Sequence, residues 1–154
     1  MGIFGAKKHY MPRRGILRKP AKRRKKTPLS KLKKRVEALQ KELVIKLYGT
    51  DCYTCPQKNL IGANRQLGHV PWPRSILSNH CKFLTDFARI QCFSCNIHRG
   101  GMGAIAFKRM VLEGVDVEAM WQLNEKTKGK VCPTIFFEQK IATYELKLLA
   151  LVKV

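Results

Sequence analysis

The sequence predicts an α+β fold in which a small, irregular, zinc-stapled centre is surrounded by helices and preceded by a basic arm. Three observations predict it. Two C-x-x-C pairs, Cys52-Tyr53-Thr54-Cys55 and Cys92-Phe93-Ser94-Cys95, lie on either side of a loop-rich stretch. Apolar residues at three- and four-residue steps flank that stretch on both sides, while strand-like signals are few and short. Residues 1–26 are rich in Lys and Arg and contain no acid. A chain of 154 residues then reads as one domain, 27–154, behind an arm of 1–26.

In chain order, the arm comes first. Its densest block is Lys22, Arg23, Arg24, Lys25 and Lys26. Such a segment cannot bury enough apolar surface to offset its ordering entropy, so it is expected to stay disordered until it meets phosphates. A solvated tail that only aids solubility, or a nuclear-localisation signal, would use the same residues. Thr27-Pro28 opens a helix, with Thr27 as N-cap and Pro28 at the first helical position. Leu29, Leu32, Val36, Leu39, Leu43 and Leu47 form its stripe, and Gly49 ends it. Lys31, Lys33, Lys34 and Arg35 lie mostly off the stripe, so the helix can pack on the zinc module with cations outward. A coiled-coil homodimer is the competing use of that stripe, although it offers only about two and a half heptads.

Each C-x-x-C places two thiolates on one tight turn, and two such turns facing one another complete a Cys₄ site of the structural-zinc kind. A redox pair would open a helix in a β-α-β pattern and would not need a second pair. The ligand set is therefore Cys52, Cys55, Cys92 and Cys95, and Cys81 and Cys132 read as small buried apolar residues. Between the knuckles, Asn59 to Arg65 has turn character and Gln66 to Val70 reads as a short strand. Pro71-Trp72-Pro73 forces an extended, exposed connection. Trp72 there is either a packing lid over the hairpin or a stacking contact for an unpaired base. After the second knuckle, Gly100, Gly101 and Gly103 permit close backbone approach. A helix follows from about Ala104 to Glu113, then one capped by Asp116 that carries Met120, Trp121 and Leu123. Lys126 to Lys130 forms a basic loop. Thr134 opens a last helix with Ile141, Tyr144, Leu148 and Leu151 on one face and Lys140 and Lys147 beside it.

The formal net charge of +21, from 31 Lys and Arg against 10 Asp and Glu, implies a polyanionic partner. Nucleic acid is the first candidate, and Arg74 and Arg99 join Trp72 and the Lys22–Lys26 block as candidate contacts. No apolar run reaches the ~18 residues of a membrane span, and the opening residues have neither a secretory core nor the Ser or Thr of a myristoylation signal. A cytoplasmic, reducing location is expected, which favours metal-bound thiolates over disulfides.

With these residues in hand, the chain resembles the phage Nin-region recombination proteins, the NinG or Rap family of HNH-like endonucleases acting on Holliday junctions and D-loops. The likeness rests on Cys52-x-x-Cys55, the Leu67-Gly68-His69 step and Cys92-Phe93-Ser94-Cys95-Asn96-Ile97-His98 with a following helix. Lys31-Leu32-Lys33-Lys34 before the first knuckle and Ala142-Thr143-Tyr144 in the terminal helix resemble the family's flanks. The resemblance covers roughly residues 30–150. It implies a ββα-metal centre of the HNH or treble-clef kind, with His69 as general base and Mg²⁺ or Mn²⁺ held by Asn96 and His98. The implied substrate is branched DNA, in the host cytoplasm if the protein is phage-encoded. Two positions depart from the pattern. Gly68 stands where many HNH nucleases carry Asp, and Phe87 where they carry a middle Asn, with Asp86 adjacent and Asn79 further upstream. The contrasting reading is a non-catalytic zinc-stapled module that binds nucleic acid. His69 would then serve only to orient the hairpin through a backbone hydrogen bond.

Overall fold

The computed structural model describes residues 28–152. The basic arm with its Lys22–Lys26 block, and the Thr27 cap, lie outside the described residues. Helix α1, Pro28–Tyr48, buries Val36, Leu39, Leu43 and Val44. Its stripe packs on helix α4, Thr134–Val152, through Phe137 and Tyr144, while Val44 and Ile45 reach the cysteine cluster. The predicted stripe is one residue too long, since Leu47 is 46% exposed. Its last turn has already passed the core. On α4 the anchor is Phe137, one turn before Ile141, and Leu151 stays exposed. One residue breaks the apolar pattern: Gln40 is fully buried in the middle of α1.

The sheet is one antiparallel pair. Strand β1, Arg65–His69, runs against β2, Ala88–Cys92, with Arg65 opposite Cys92 and His69 opposite Ala88. The first strand matches the sequence reading to within a residue. The second had no strand signature, for a physical reason. All five of its residues are buried, so polar and apolar positions do not alternate between water and core. Arg89 is accommodated because its guanidinium lies 3.8 Å from the centre of the Tyr48 ring and donates to the Ala88 carbonyl at 2.9 Å.

The long β1–β2 connection is less exposed than expected at Pro71, and Trp72 takes the packing role of its two readings. Pro71 is buried and Trp72 half-buried, its ring centre 5.0 Å from that of Trp121 and 6.4 Å from that of Phe87. A Trp side chain offers too much apolar surface to leave in water when a core seam adjoins it. The same seam holds Val70, Phe87, Ala106, Met110 and Met120. Helix α2, Gly103–Leu112, and helix α3, Val117–Thr127, close it, and Asp116 caps α3 by accepting from the Ala119 N–H at 2.8 Å. Cys81 is wholly buried and Cys132 half-buried, both apart from the other four cysteines. Among the described residues, no helix is long and apolar enough to cross a membrane.

Candidate metal centre and an adjoining histidine cleft

The two knuckles meet at one end of the hairpin. The first turn closes through a Cys52 N–H to Gln57 carbonyl bond of 2.8 Å, and the next N–H, of Tyr53, donates to the Ile90 carbonyl of β2 at 2.8 Å. This brings Cys52 and Cys55 to the end of β2 that carries Cys92. The four Sγ atoms all lie within 4.8 Å of one another, with Cys55 and Cys92 3.8 Å apart. Zn–S bonds of about 2.3 Å in a tetrahedron place sulfurs about 3.8 Å apart, so the cluster could hold a zinc ion. Backbone donors already point at the sulfurs: the Cys92 N–H reaches Cys52 Sγ at 3.2 Å and the Cys95 N–H reaches Cys92 Sγ at 3.4 Å.

The thiols of Cys52, Cys55 and Cys95 are shifted from the ordinary cysteine value, the last two upward. Burial opposes ionisation of Cys52, but hydrogen bonds from the Cys92 and Thr54 backbones outweigh it and bring that thiol down to about 6. Burial pushes Cys95 up to about 12, with Cys92 and Cys55 adding to the rise, and burial likewise raises Cys55. A bound cation is what would stabilise four thiolates in so small a space.

Next to this cluster the chain builds a second feature. Cys95 lies within a π-helical turn, Ser94–His98, which is followed by the Gly100–Met102 turn. That stretch folds back beside β1. The result is a cleft of about 180 Å³ lined by His69, Pro73, Arg74, Asn96, Gly100 and Gly101. Its glycine floor is fixed from behind by Gln91, whose Nε2 donates to the Gly101 carbonyl at 2.7 Å and to Thr54 Oγ1 at 3.2 Å. Gly101 takes a φ of 80°, which favours glycine.

The same arrangement defines the surroundings of positions 68 and 87. A Cβ on Gly68 would sit 1.9 Å from Gln91 Oε1, so the carboxamide of residue 91 occupies the space an Asp at 68 would need. Phe87 is core, 1% exposed and against Trp72. The hydrogen bond on His69 comes instead from the main chain: Nε2 lies 3.1 Å from the Lys82 carbonyl. A carbonyl only accepts, so the neutral ring carries its proton on Nε2 and leaves Nδ1 as an acceptor. Burial lowers the pKa of His69, the Lys82 carbonyl partly offsets that, and Arg74 lowers it further, which keeps the ring neutral at pH 7.

The other predicted residues divide. Asn96 is half-buried and shares the cleft with His69. His98 is exposed, stands edge-on to Phe93 at 5.2 Å, and does not line the cleft. Arg74 lines it and is ion-paired with Glu37 of α1, while Arg99 is exposed beside it in sequence to Gly100. Trp72 packs in the seam described above. None of the cleft-lining side chains is a carboxylate. A larger groove of about 360 Å³ between Trp72, Phe107 and Trp121 does include Asp116 and Glu118. Asp116 is occupied capping α3, and Glu118 accepts from Gln122 at 3.2 Å.

Sequence reasoning missed two contributors to the cleft. The Lys82 carbonyl has no side-chain signature. Gln91 could have been found as an amide set directly before a knuckle cysteine, across the hairpin from a glycine that leaves room for it. Compared with known proteins, the chain matches no family model, no curated protein and no solved structure.

Proposed function

We propose that this chain is a structure-selective DNA endonuclease that hydrolyses phosphodiesters at branched recombination intermediates such as Holliday junctions and D-loops. In this reading Cys52, Cys55, Cys92 and Cys95 hold a structural Zn²⁺, and the cleft works with Mg²⁺ or Mn²⁺. The observation that carries the proposal is His69: a histidine kept neutral, with Nε2 committed to the Lys82 carbonyl and Nδ1 without a partner among the described residues, beside Asn96 in a cleft.

His69 Nδ1 takes the proton of a water molecule as its oxygen attacks phosphorus, and the P–O bond opposite breaks. A divalent ion, when bound, supplies the charge that neutralises the developing oxyanion and leaving group. The Asn96 side-chain oxygen is the ligand the cleft itself offers. His98 would have to leave Phe93 to join it. Arg74, paired with Glu37 at the rim, is placed to meet a phosphate. Preference for branched DNA comes from the resemblance to the Nin-region proteins, and the charge of +21 supports a polyanionic substrate.

Two observations favour a second reading, a non-catalytic zinc-stapled module that binds nucleic acid, and the first is the backbone hydrogen bond by which His69 holds the β1–β2 connection. The second is that the cleft offers no carboxylate, and Mg²⁺ is usually held by at least one. Incubation of a four-way junction and a linear duplex of matched sequence with the protein in Mg²⁺, Mn²⁺ or chelator separates the two. Metal-dependent cutting of the junction in preference to the duplex supports the nuclease. A junction bound but uncut in both metals supports the binding module.

A further inference from the structure

The histidine of the cleft is held through one carbonyl, and that carbonyl is itself held. Gln40 is 0% exposed, surrounded on α1 by Val36, Leu39, Leu43 and Val44. Its Nε2 donates to the Lys82 carbonyl at 3.2 Å and to the Leu84 carbonyl at 2.9 Å. The amide nitrogen has two protons and therefore satisfies both carbonyls at once. The carbonyl between them, of Phe83, accepts from the buried Tyr144 hydroxyl of α4. Three successive carbonyls are thus gripped by two helices. The Lys82 oxygen accepts twice, from Gln40 Nε2 and from His69 Nε2.

We propose that Gln40 is a positioning residue for His69. By fixing the Lys82 carbonyl from helix α1 it sets the histidine tautomer. The proposal rests on the reading of His69 as a general base, but its geometry can be tested without cleavage. An apolar residue at 40 would fit the surrounding stripe on α1, so packing alone does not call for an amide there. The Oε1 of Gln40 has no hydrogen-bond partner among the described residues, which leaves the two Nε2 bonds as what the amide contributes. The charged groups around His69, namely Arg74, Glu37 and Lys82, are untouched by a change at 40. A change in the ring then reports the carbonyl rather than the local charge.

The test is the tautomer of His69 read from its ring nitrogen shifts by NMR, in the full chain with zinc, at a pH where the ring is neutral. In the wild type, a single Nε2–H form is expected, along with two separate Gln40 side-chain amide protons that exchange slowly. Gln40→Met keeps the volume and removes both donors. It should give a mixture of the two tautomers, with kcat on junction DNA falling by less than the ~10²-fold of a lost base and KM unchanged. Gln40→Asn, which keeps the amide on a shorter stem, should fall between the two. A wild-type ring protonated on Nδ1 overturns the proposal before any variant is made, even if Gln40→Met does not fold. So does a folded Gln40→Met with the wild-type tautomer. A Gln40-dependent tautomer in a protein that cuts nothing would leave the positioning intact and remove the nuclease reading instead.

Discussion

At the Cys92 end of the hairpin, four side chains from two short turns converge, and all the ligands a tetrahedral site needs come from those turns. At the His69 end, the lining comes from two stretches, 69–74 and 96–101, but the groups that fix it come from elsewhere in the chain. His69 is oriented by a main-chain oxygen from the β1–β2 connection, the floor is pinned by Gln91 of the opposite strand, and the rim charge is balanced by Glu37 of α1. The first region is local and closed, whereas the second is assembled from distant parts of the chain and stays open. Damage to the first should therefore unfold the domain, and damage to the second should leave a folded protein with altered chemistry.

Cys92→Ser tests the first half of that contrast and should have the largest effect. A small domain with a divided core would draw folding energy from a zinc ion held by the four cysteines. The variant should lose its zinc and its cooperative melting transition together, by metal analysis and circular dichroism. Retention of one zinc per chain in a folded variant would refute the Cys₄ assignment.

The pH profile addresses the second half. Because burial lowers the pKa of His69, the base is neutral above the ordinary histidine value of 6.5 and protonates only below it. Cleavage should be flat near neutrality and fall as pH drops through the lowered pKa, about tenfold per unit in kcat/KM on the acid limb. Stability has the same sign. A histidine whose folded pKa is depressed contributes above its unfolded value and loses that contribution as pH falls. An acid limb centred above 6.5 would remove His69 from the role of a buried neutral base.

Adding a carboxylate at position 68 should fail in an informative way. Gly68→Asp puts a Cβ into Gln91 Oε1, and overpacking of this kind costs about 1–3 kcal/mol, read as a lower melting temperature. Adding Gln91→Ala should return part of that loss, since the two side chains compete for one space. Equal melting of Gly68→Asp and wild type would show that Gln91 moves aside freely. The smallest effect is expected from deleting residues 1–26. Each phosphate contact removed should flatten the slope of log K against log salt by about 0.9 on duplex DNA, with binding weakened for all sequences alike. An unchanged slope would make the arm a bystander.

What was legible in the sequence follows the same division. Cys52, Cys55, Cys92 and Cys95 could be grouped from spacing alone, because a knuckle is a local device whose ligands are its own residues. Helices α1 to α4 were visible from their stripes and from Asp116 and the glycines that bound them. Strand β2 was hidden, since Arg89 and Gln91 are polar residues buried by cation–π contact and amide bonding. Trp72 could be read as a packing lid, but the Trp121 face it packs on lies far along the chain and could not be named. His69 and Asn96 could be named as partners, but the Lys82 carbonyl could not, since any residue at 82 would present the same oxygen.

The measurement that bears most directly on the separation of fold from chemistry is His69→Ala, assayed for zinc content, junction binding and junction cleavage in one preparation. The variant should keep one zinc per chain and bind four-way junctions as the wild type does, while cleavage in Mg²⁺ or Mn²⁺ drops at least ~10²-fold. Cleavage at the wild-type rate would contradict the account, and so would loss of zinc or of the folded state.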